Sequence, residues 1–191
     1  IMRDFPDYVP NTYLQYYLYP EQVVAQLDPD HTRTEEVRNG REKRVFTQCR
    51  QAAQQGSTKG LTIAKSEVHA DMIVEVASSI AFDKGELFIM ITRNNGTVSN
   101  FHEDAMVETA AHVGANGVTA VPFGKIDVFM KGLMEGQYAY EHLTVDSYFE
   151  GSYKKALQAL TLNRTLVDAQ KAKAVLDDLI DANQGYWPEL K

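Results

Sequence analysis

The sequence predicts an α+β fold, rich in helices with a small mixed or antiparallel sheet in its middle. Three observations predict it. Apolar residues recur at intervals of three and four before and after the middle of the chain, which is the spacing of one helix face. One run, Leu87-Phe88-Ile89-Met90-Ile91, is short, continuous and apolar, as a buried strand is. Turn signals at Asn94-Asn95-Gly96 and Gly114-Ala115-Asn116-Gly117 follow it.

The elements follow in order. Met2 comes after Ile1, so Ile1-Met2-Arg3-Asp4-Phe5 reads as the end of an earlier element, and the sequence is expected to be a fragment of a longer chain. Pro10 and Asn11 open a helix with Asn11 as N-cap. It is expected to run to about Leu27 and stop at Asp28-Pro29-Asp30, because the residue before a proline resists helical geometry. Thr32, with Glu35 three residues on, starts a second helix that runs to about Gln54. Gln55-Gly56-Ser57-Thr58-Lys59-Gly60 is a loop by composition. Val68, Met72, Val76 and Ile80, with Ile73 and Ala77 beside them, form a helical stripe that Gly85 ends. After the strand at 87–91, Ala105-Met106-Val107-Glu108 and Val118-Thr119-Ala120-Val121 are strands around the second turn. Phe129, Leu133, Gly136, Tyr140 and Leu143 repeat helically, as do Phe149, Tyr153, Ala156, Leu157 and Leu160. Asp168 caps a last helix carrying Ala172, Val175, Leu176, Leu179 and Ile180, and Gly185 closes it. With no repeat, low-complexity tract or linker, residues 1–191 are expected to form a single domain.

Composition excludes some functions. The chain has 191 residues, 44% hydrophobic and 24% charged, which is the make-up of a globular protein with one substantial core. A net charge of −7 argues against a general nucleic-acid or anionic-membrane binder. No run reaches the length of a membrane span and no signal peptide is visible. The single cysteine, Cys49, excludes an internal disulfide and points to a reducing, cytoplasmic setting. Inside a helix, Cys49 is expected to be a small buried hydrophobe.

The chemistry-bearing residues concentrate near the start. Five tyrosines fall in the twelve residues Tyr8 to Tyr19. Tyr13 sits in the first turn after Asn11, where the helix dipole favours negative charge and a proton-abstracting phenolate would be welcome. The same spacing suits an aromatic core face of Tyr13, Tyr16 and Tyr17. Arg33 follows the Thr32 cap, where free N–H groups and a guanidinium favour an anion, although a solvated arginine fits the pattern too. His31, His69, His102, His112 and His142 show no metal-ligand spacing. Asp177-Asp178 and Glu35-Glu36 read as solvated helix faces. No dinucleotide or P-loop signature is present, so no cofactor-binding or metal residue is assigned.

Several segments resemble the C-terminal part of glycoside hydrolase family 4. They are Pro10-Asn11-Thr12-Tyr13-Leu14-Gln15-Tyr16-Tyr17-Leu18, Asn94-Asn95-Gly96-Thr97-Val98-Ser99-Asn100, Asp104-Ala105-Met106-Val107-Glu108, Lys131-Gly132-Leu133-Met134-Glu135 and Asn183-Gln184-Gly185-Tyr186-Trp187-Pro188-Glu189-Leu190. The sequence departs from the family's pattern at Thr109-Ala110 and at Gly117-Val118-Thr119. The likeness is strongest to the branch acting on 6-phospho-α-glucosides such as maltose 6'-phosphate.

The resemblance implies a C-terminal substrate-binding and oligomerisation domain with a fold like the C-terminal domain of lactate dehydrogenase. It implies a glycosidase using NAD and Mn²⁺ to cleave the O-glycosyl bond of a phosphorylated disaccharide by oxidation and elimination, a family exception to two-carboxylate hydrolysis. Hydride leaves C3 of the sugar, a tyrosine takes the acidified C2 proton, the aglycone departs, water adds and the hydride returns. The tyrosine falls on Tyr13 and a substrate-binding arginine on Arg33. The Rossmann NAD domain and the metal ligands lie N-terminal to this segment in the family, so the chain alone is expected to be inactive. A homodimer or homotetramer is implied, and the apolar helices from Ile126 onward are a candidate interface. A non-catalytic sugar-phosphate-binding or assembly module, or a 6-phospho-β-glucosidase relative, are the alternatives.

Overall fold

The computed structural model describes residues 1–62, 68–166 and 168–191. In chain order it has α1 (Leu14–Leu18), α2 (Pro20–Ala25), α3 (Arg33–Glu35), a π-helical turn (Glu36–Glu42), α4 (Lys43–Gln55) and α5 (Val68–Ala81). There follow β1 (Glu86–Arg93), β2 (Met106–Gly114), β3 (Gly117–Ala120), α6 (Val128–Glu150), α7 (Tyr153–Leu162) and α8 (Ala169–Ala182). The fold is α+β, as the sequence predicts. The chain divides into two compact units, one formed by Ile1–Gln26 with Ile126–Lys191 and the other by Leu27–Lys125.

The first unit is all helical. The helix expected from Asn11 to Leu27 is instead two, because Tyr19 leaves helical geometry (φ −133°, ψ 49°) and Pro20 becomes the first residue of α2. The steric rule that ends helices before Pro29 acts at Pro20 first. Asp127 caps α6, accepting from the N–H groups of Phe129 and Met130 at 2.8 and 3.0 Å. Gly151 (φ +63°) ends α6, so Phe149 and Tyr153, expected on one stripe, lie on different helices. Ser152 caps α7, and Asp168 caps α8 by accepting from the Lys171 N–H at 2.9 Å. Ala156, Ala159, Ala172 and Leu176 form the core where α7 meets α8.

In the second unit, the Thr32 hydroxyl accepts from the Glu35 N–H at 3.2 Å, and Gly56 (φ +62°) terminates the helical run after Gln55. Cys49 is exposed, contrary to expectation, because α4 buries none of its residues and offers no core side. The sheet has the order β1-β2-β3, antiparallel throughout, with Ile89 opposite Ala110 and Val113 opposite Val118. Thr109-Ala110 and Gly117-Val118-Thr119, the departures from the family's pattern, are ordinary members of these ladders. Val107, Thr109, Ala111 and Val113 of β2 are buried on one face. There α5 packs against the strand, and the buried Ser79 hydroxyl donates to the Val113 carbonyl at 2.6 Å.

Two burial expectations change here. The α5 stripe does not face the core: Met72, Ile73 and Ile80 are exposed, and Ser79 is the buried residue of the helix. The side chain of Val68, also on that stripe, lies outside the described residues. β1 is covered on one side only, since Leu87, Ile89 and Ile91 are 58%, 58% and 65% exposed while Phe88, Met90 and Thr92 are half-buried. An antiparallel sheet needs just one buried face, and the apolar run masks this alternation. Beyond the sheet, Asn94 is fully buried and organises its loop through four side-chain hydrogen bonds.

Candidate functional site

The first unit contains the tyrosine-rich segment. The Asn11 side-chain oxygen accepts from the N–H groups of Tyr13 and Leu14, both at 2.9 Å, and so fixes the turn that leads into α1. Tyr13, expected in the first helical turn, is instead the residue just before the helix, at its N-cap position. The Tyr13 side chain is turned outward, with the residue 69% exposed. Together with Tyr16, Tyr17, Gln137, Tyr140, Asn163, Arg164 and Thr165 it lines a cleft of about 320 Å³.

The neighbouring tyrosines are held in other roles. Tyr17 donates its hydroxyl to Gln137 Oε1 at 3.0 Å, and burial, reinforced by Glu141 and Tyr140, pushes its phenol above the ordinary range. Burial and the carboxylate of Asp127 raise Tyr8, and burial and Asp4 raise Tyr19. An aromatic core face does not form, since Tyr13 and Tyr16 are exposed and Tyr17 is half-buried, its hydroxyl held by Gln137.

Arg33 belongs to the second unit, directly after the capping Thr32. Its guanidinium pairs with Glu36, both side chains being well exposed. His31 Nδ1 lies 2.8 Å from Asp28 Oδ2, within the turn that begins at Asp28. Among the described residues, no three His, Cys, Asp or Glu side chains come together to hold a metal ion. No helix of the described residues is long and apolar enough to cross a membrane.

Sequence reasoning missed Gln137 and Arg164. They reach Tyr17 from 120 and 147 residues away, and nothing local marks them.

Residues 1–166 match the family model described as the family 4 glycosyl hydrolase C-terminal domain. The chain belongs to this family. Over the whole chain it is 48% identical to phospho-alpha-glucosidase PagL of Clostridium acetobutylicum, of which it covers 43%. Over 97% of the chain it is 45% identical to maltose-6'-phosphate glucosidase of Bacillus subtilis, of which it covers 41%. Among solved structures it is similar to 6-phospho-alpha-glucosidase from gut microorganisms in complex with NAD and Mn²⁺. There the TM-score is 0.90 at 47% identity, over 100% of this chain and 43% of that one. The family 4 chain thus spans less than half the length of these relatives.

Proposed function

We propose that this chain is the C-terminal, substrate-binding and oligomerisation part of an NAD- and Mn²⁺-dependent 6-phospho-α-glucosidase acting on phosphorylated disaccharides such as maltose 6'-phosphate. The observation that carries this reading is Tyr13, a phenol open to a cleft at the start of a helix in a family 4 chain. In this reading Tyr13 takes the proton from C2 of the sugar. Tyr17 and Tyr19 do not compete, because their hydroxyls are already committed as donors to Gln137 and Asp4. Arg33 anchors the phosphorylated sugar. Its present partner is weakly held, since an exposed ion pair contributes about 0–1 kcal/mol, and a phosphate offers the guanidinium bidentate hydrogen bonds in exchange. NAD and Mn²⁺, when bound, supply the transient oxidation and carbonyl polarisation that acidify the C2–H bond. The described residues do not form a metal site by themselves, and we assign both groups to the part of the relatives' length outside this chain.

We place the protein in the cytoplasm as a homodimer or homotetramer. Val145, Tyr148 and Phe149 of α6, which are 54%, 58% and 80% exposed, support an assembly surface on the helices after Ile126.

The test is a chimera joining this chain to the N-terminal part of the Bacillus subtilis maltose-6'-phosphate glucosidase. It should hydrolyse p-nitrophenyl 6-phospho-α-glucoside only with NAD⁺ and Mn²⁺ present. Tyr13→Phe should lower kcat by about 100-fold or more, the scale of a lost general base. Full activity of that variant refutes the role of Tyr13.

A further inference from the structure

On the reading that Tyr13 is the base, we infer that Arg164 is its positioning residue, acting through the Tyr17 carbonyl near the far end of α1, the helix that Tyr13 directly precedes. α1 has five residues, too few to persist as a helix without outside support. Its continuation is broken at Tyr19-Pro20, so the carbonyls after Gln15, whose own carbonyl the Tyr19 N–H still caps, lie where a helix no longer supplies N–H partners. Arg164 Nη2 donates to one of them, the Tyr17 carbonyl, at 3.0 Å. A cation at a helix C-terminus also complements the helix dipole. Arg164 therefore caps the Tyr17 carbonyl beside the backbone cap that Tyr19 gives to Gln15.

The opposite side of Tyr17 is held as well. Its hydroxyl donates to Gln137 Oε1 at 3.0 Å, while Gln137 Nε2 donates to Glu141 Oε1 at 2.7 Å. Arg164 is itself set by the turn after α7, where Asn163 Oδ1 accepts from the N–H and the hydroxyl of Thr165 at 3.0 and 2.7 Å. At the near end, Asn11 fixes the N–H groups of Tyr13 and Leu14. These bonds oppose rolling of the helix about its axis, while the Tyr13 ring stays open to the cleft that Arg164 also lines. A tyrosine that removes a proton from carbon needs this combination, because proton transfer requires a defined approach.

Two measurements test the inference. In this chain, Arg164→Ala should raise amide hydrogen exchange of residues 14–18 by about fivefold, the loss of one modest hydrogen bond, while α7 and α8 keep their protection. Arg164→Lys, which keeps the charge but not the fork, should fall between. In the chimera, Arg164→Ala should lower kcat by about tenfold with KM nearly unchanged, since misaimed chemistry is lost rather than binding. Added methylguanidinium should restore part of the rate. Unchanged exchange in α1 overturns the inference. So does a raised KM at constant kcat, which would make Arg164 a substrate ligand. So does unchanged kcat in Arg164→Ala while Tyr13→Phe is dead, a result that leaves the role of Tyr13 standing. Full activity of Tyr13→Phe strikes instead at the assignment of the base.

Discussion

Replacing Gly151 with alanine should cost more than the same change at Gly56, and the structure gives the difference. Both glycines end helices in the left-handed region, with φ of +63° and +62°. That conformation costs an L-residue about 1–2 kcal/mol, which both variants share. At Gly56 an added Cβ meets nothing within 4 Å, whereas at Gly151 it would stand 2.8 Å from the Glu189 carbonyl oxygen. The obstacle is backbone, so the C-terminal segment must move. It is tied down beside Gly151: the Lys191 N–H donates to the Gly151 carbonyl at 2.7 Å, and the Tyr153 N–H donates to the Lys191 carbonyl at 3.0 Å. Losing both bonds adds about 1–3 kcal/mol, so Gly151→Ala should cost about 2–5 kcal/mol in total. At about 2–4 °C per kcal/mol for a chain of this size, Tm should fall by roughly 4–20 °C. Circular dichroism with thermal or urea unfolding measures this. Trp187, the sole tryptophan, lines the cavity of about 510 Å³ that the same segment closes. Its emission should therefore shift to the red when the segment lifts. A Gly151→Ala loss no larger than that of Gly56→Ala, with emission unchanged, refutes the reasoning.

Asn94→Ala should destabilise the second unit by about 3 kcal/mol or more, because buried hydrogen-bond partners are left without replacement. Those partners are the Val98, Phe101 and His102 carbonyls and the Val98 N–H. A urea-unfolding loss below about 1 kcal/mol would contradict this account of the loop. Acid should weaken the first unit. The Met130 N–H, with the Tyr8 hydroxyl and Phe129 N–H, holds Asp127 below the ordinary carboxylate range; Lys155 does so for Asp146, and Lys173 with Tyr153 for Asp177. A group whose folded pKa is depressed stabilises above its unfolded value, about 3.9 for Asp, and that contribution fades as pH falls through the folded values. Unfolding midpoints should be flat from about pH 5 to 7 and drop below about 4, with a shallower drop in Asp127→Asn, which keeps an acceptor but cannot ionise. An acid slope identical to that of the parent chain would refute the role of Asp127.

Helix starts were legible in the sequence because capping is local. Thr32 and Asp168 bond N–H groups three residues ahead as caps, while Asn11 bonds those of Tyr13 and Leu14 from the turn before α1, whose N-cap is Tyr13. The β2–β3 turn was legible for the same reason, since its glycine occupies φ of +100° at Gly117. Burial was not. Whether the outer side of β1, the apolar stripe of α5 or Cys49 is covered depends on which element arrives opposite, and periodicity names a face without naming a neighbour. The break at Pro20 was available to the same steric rule that was applied at Pro29, but the helical spacing of Tyr13, Tyr16 and Tyr17 masked it. Arg164 and Gln137 could not be found, because their partner is distant in sequence.

The outward side of β1 has a consequence for handling the chain. Leu87, Ile89 and Ile91 present a wet hydrocarbon row along a strand whose second edge pairs with no other strand among the described residues. Such a row favours sticking between copies as concentration rises. Mutual repulsion from the net charge of −7 opposes such sticking. Salt shortens its reach to about 8 Å at physiological strength. Dilute, low-salt buffer at neutral pH is therefore the setting in which the chain keeps best in storage.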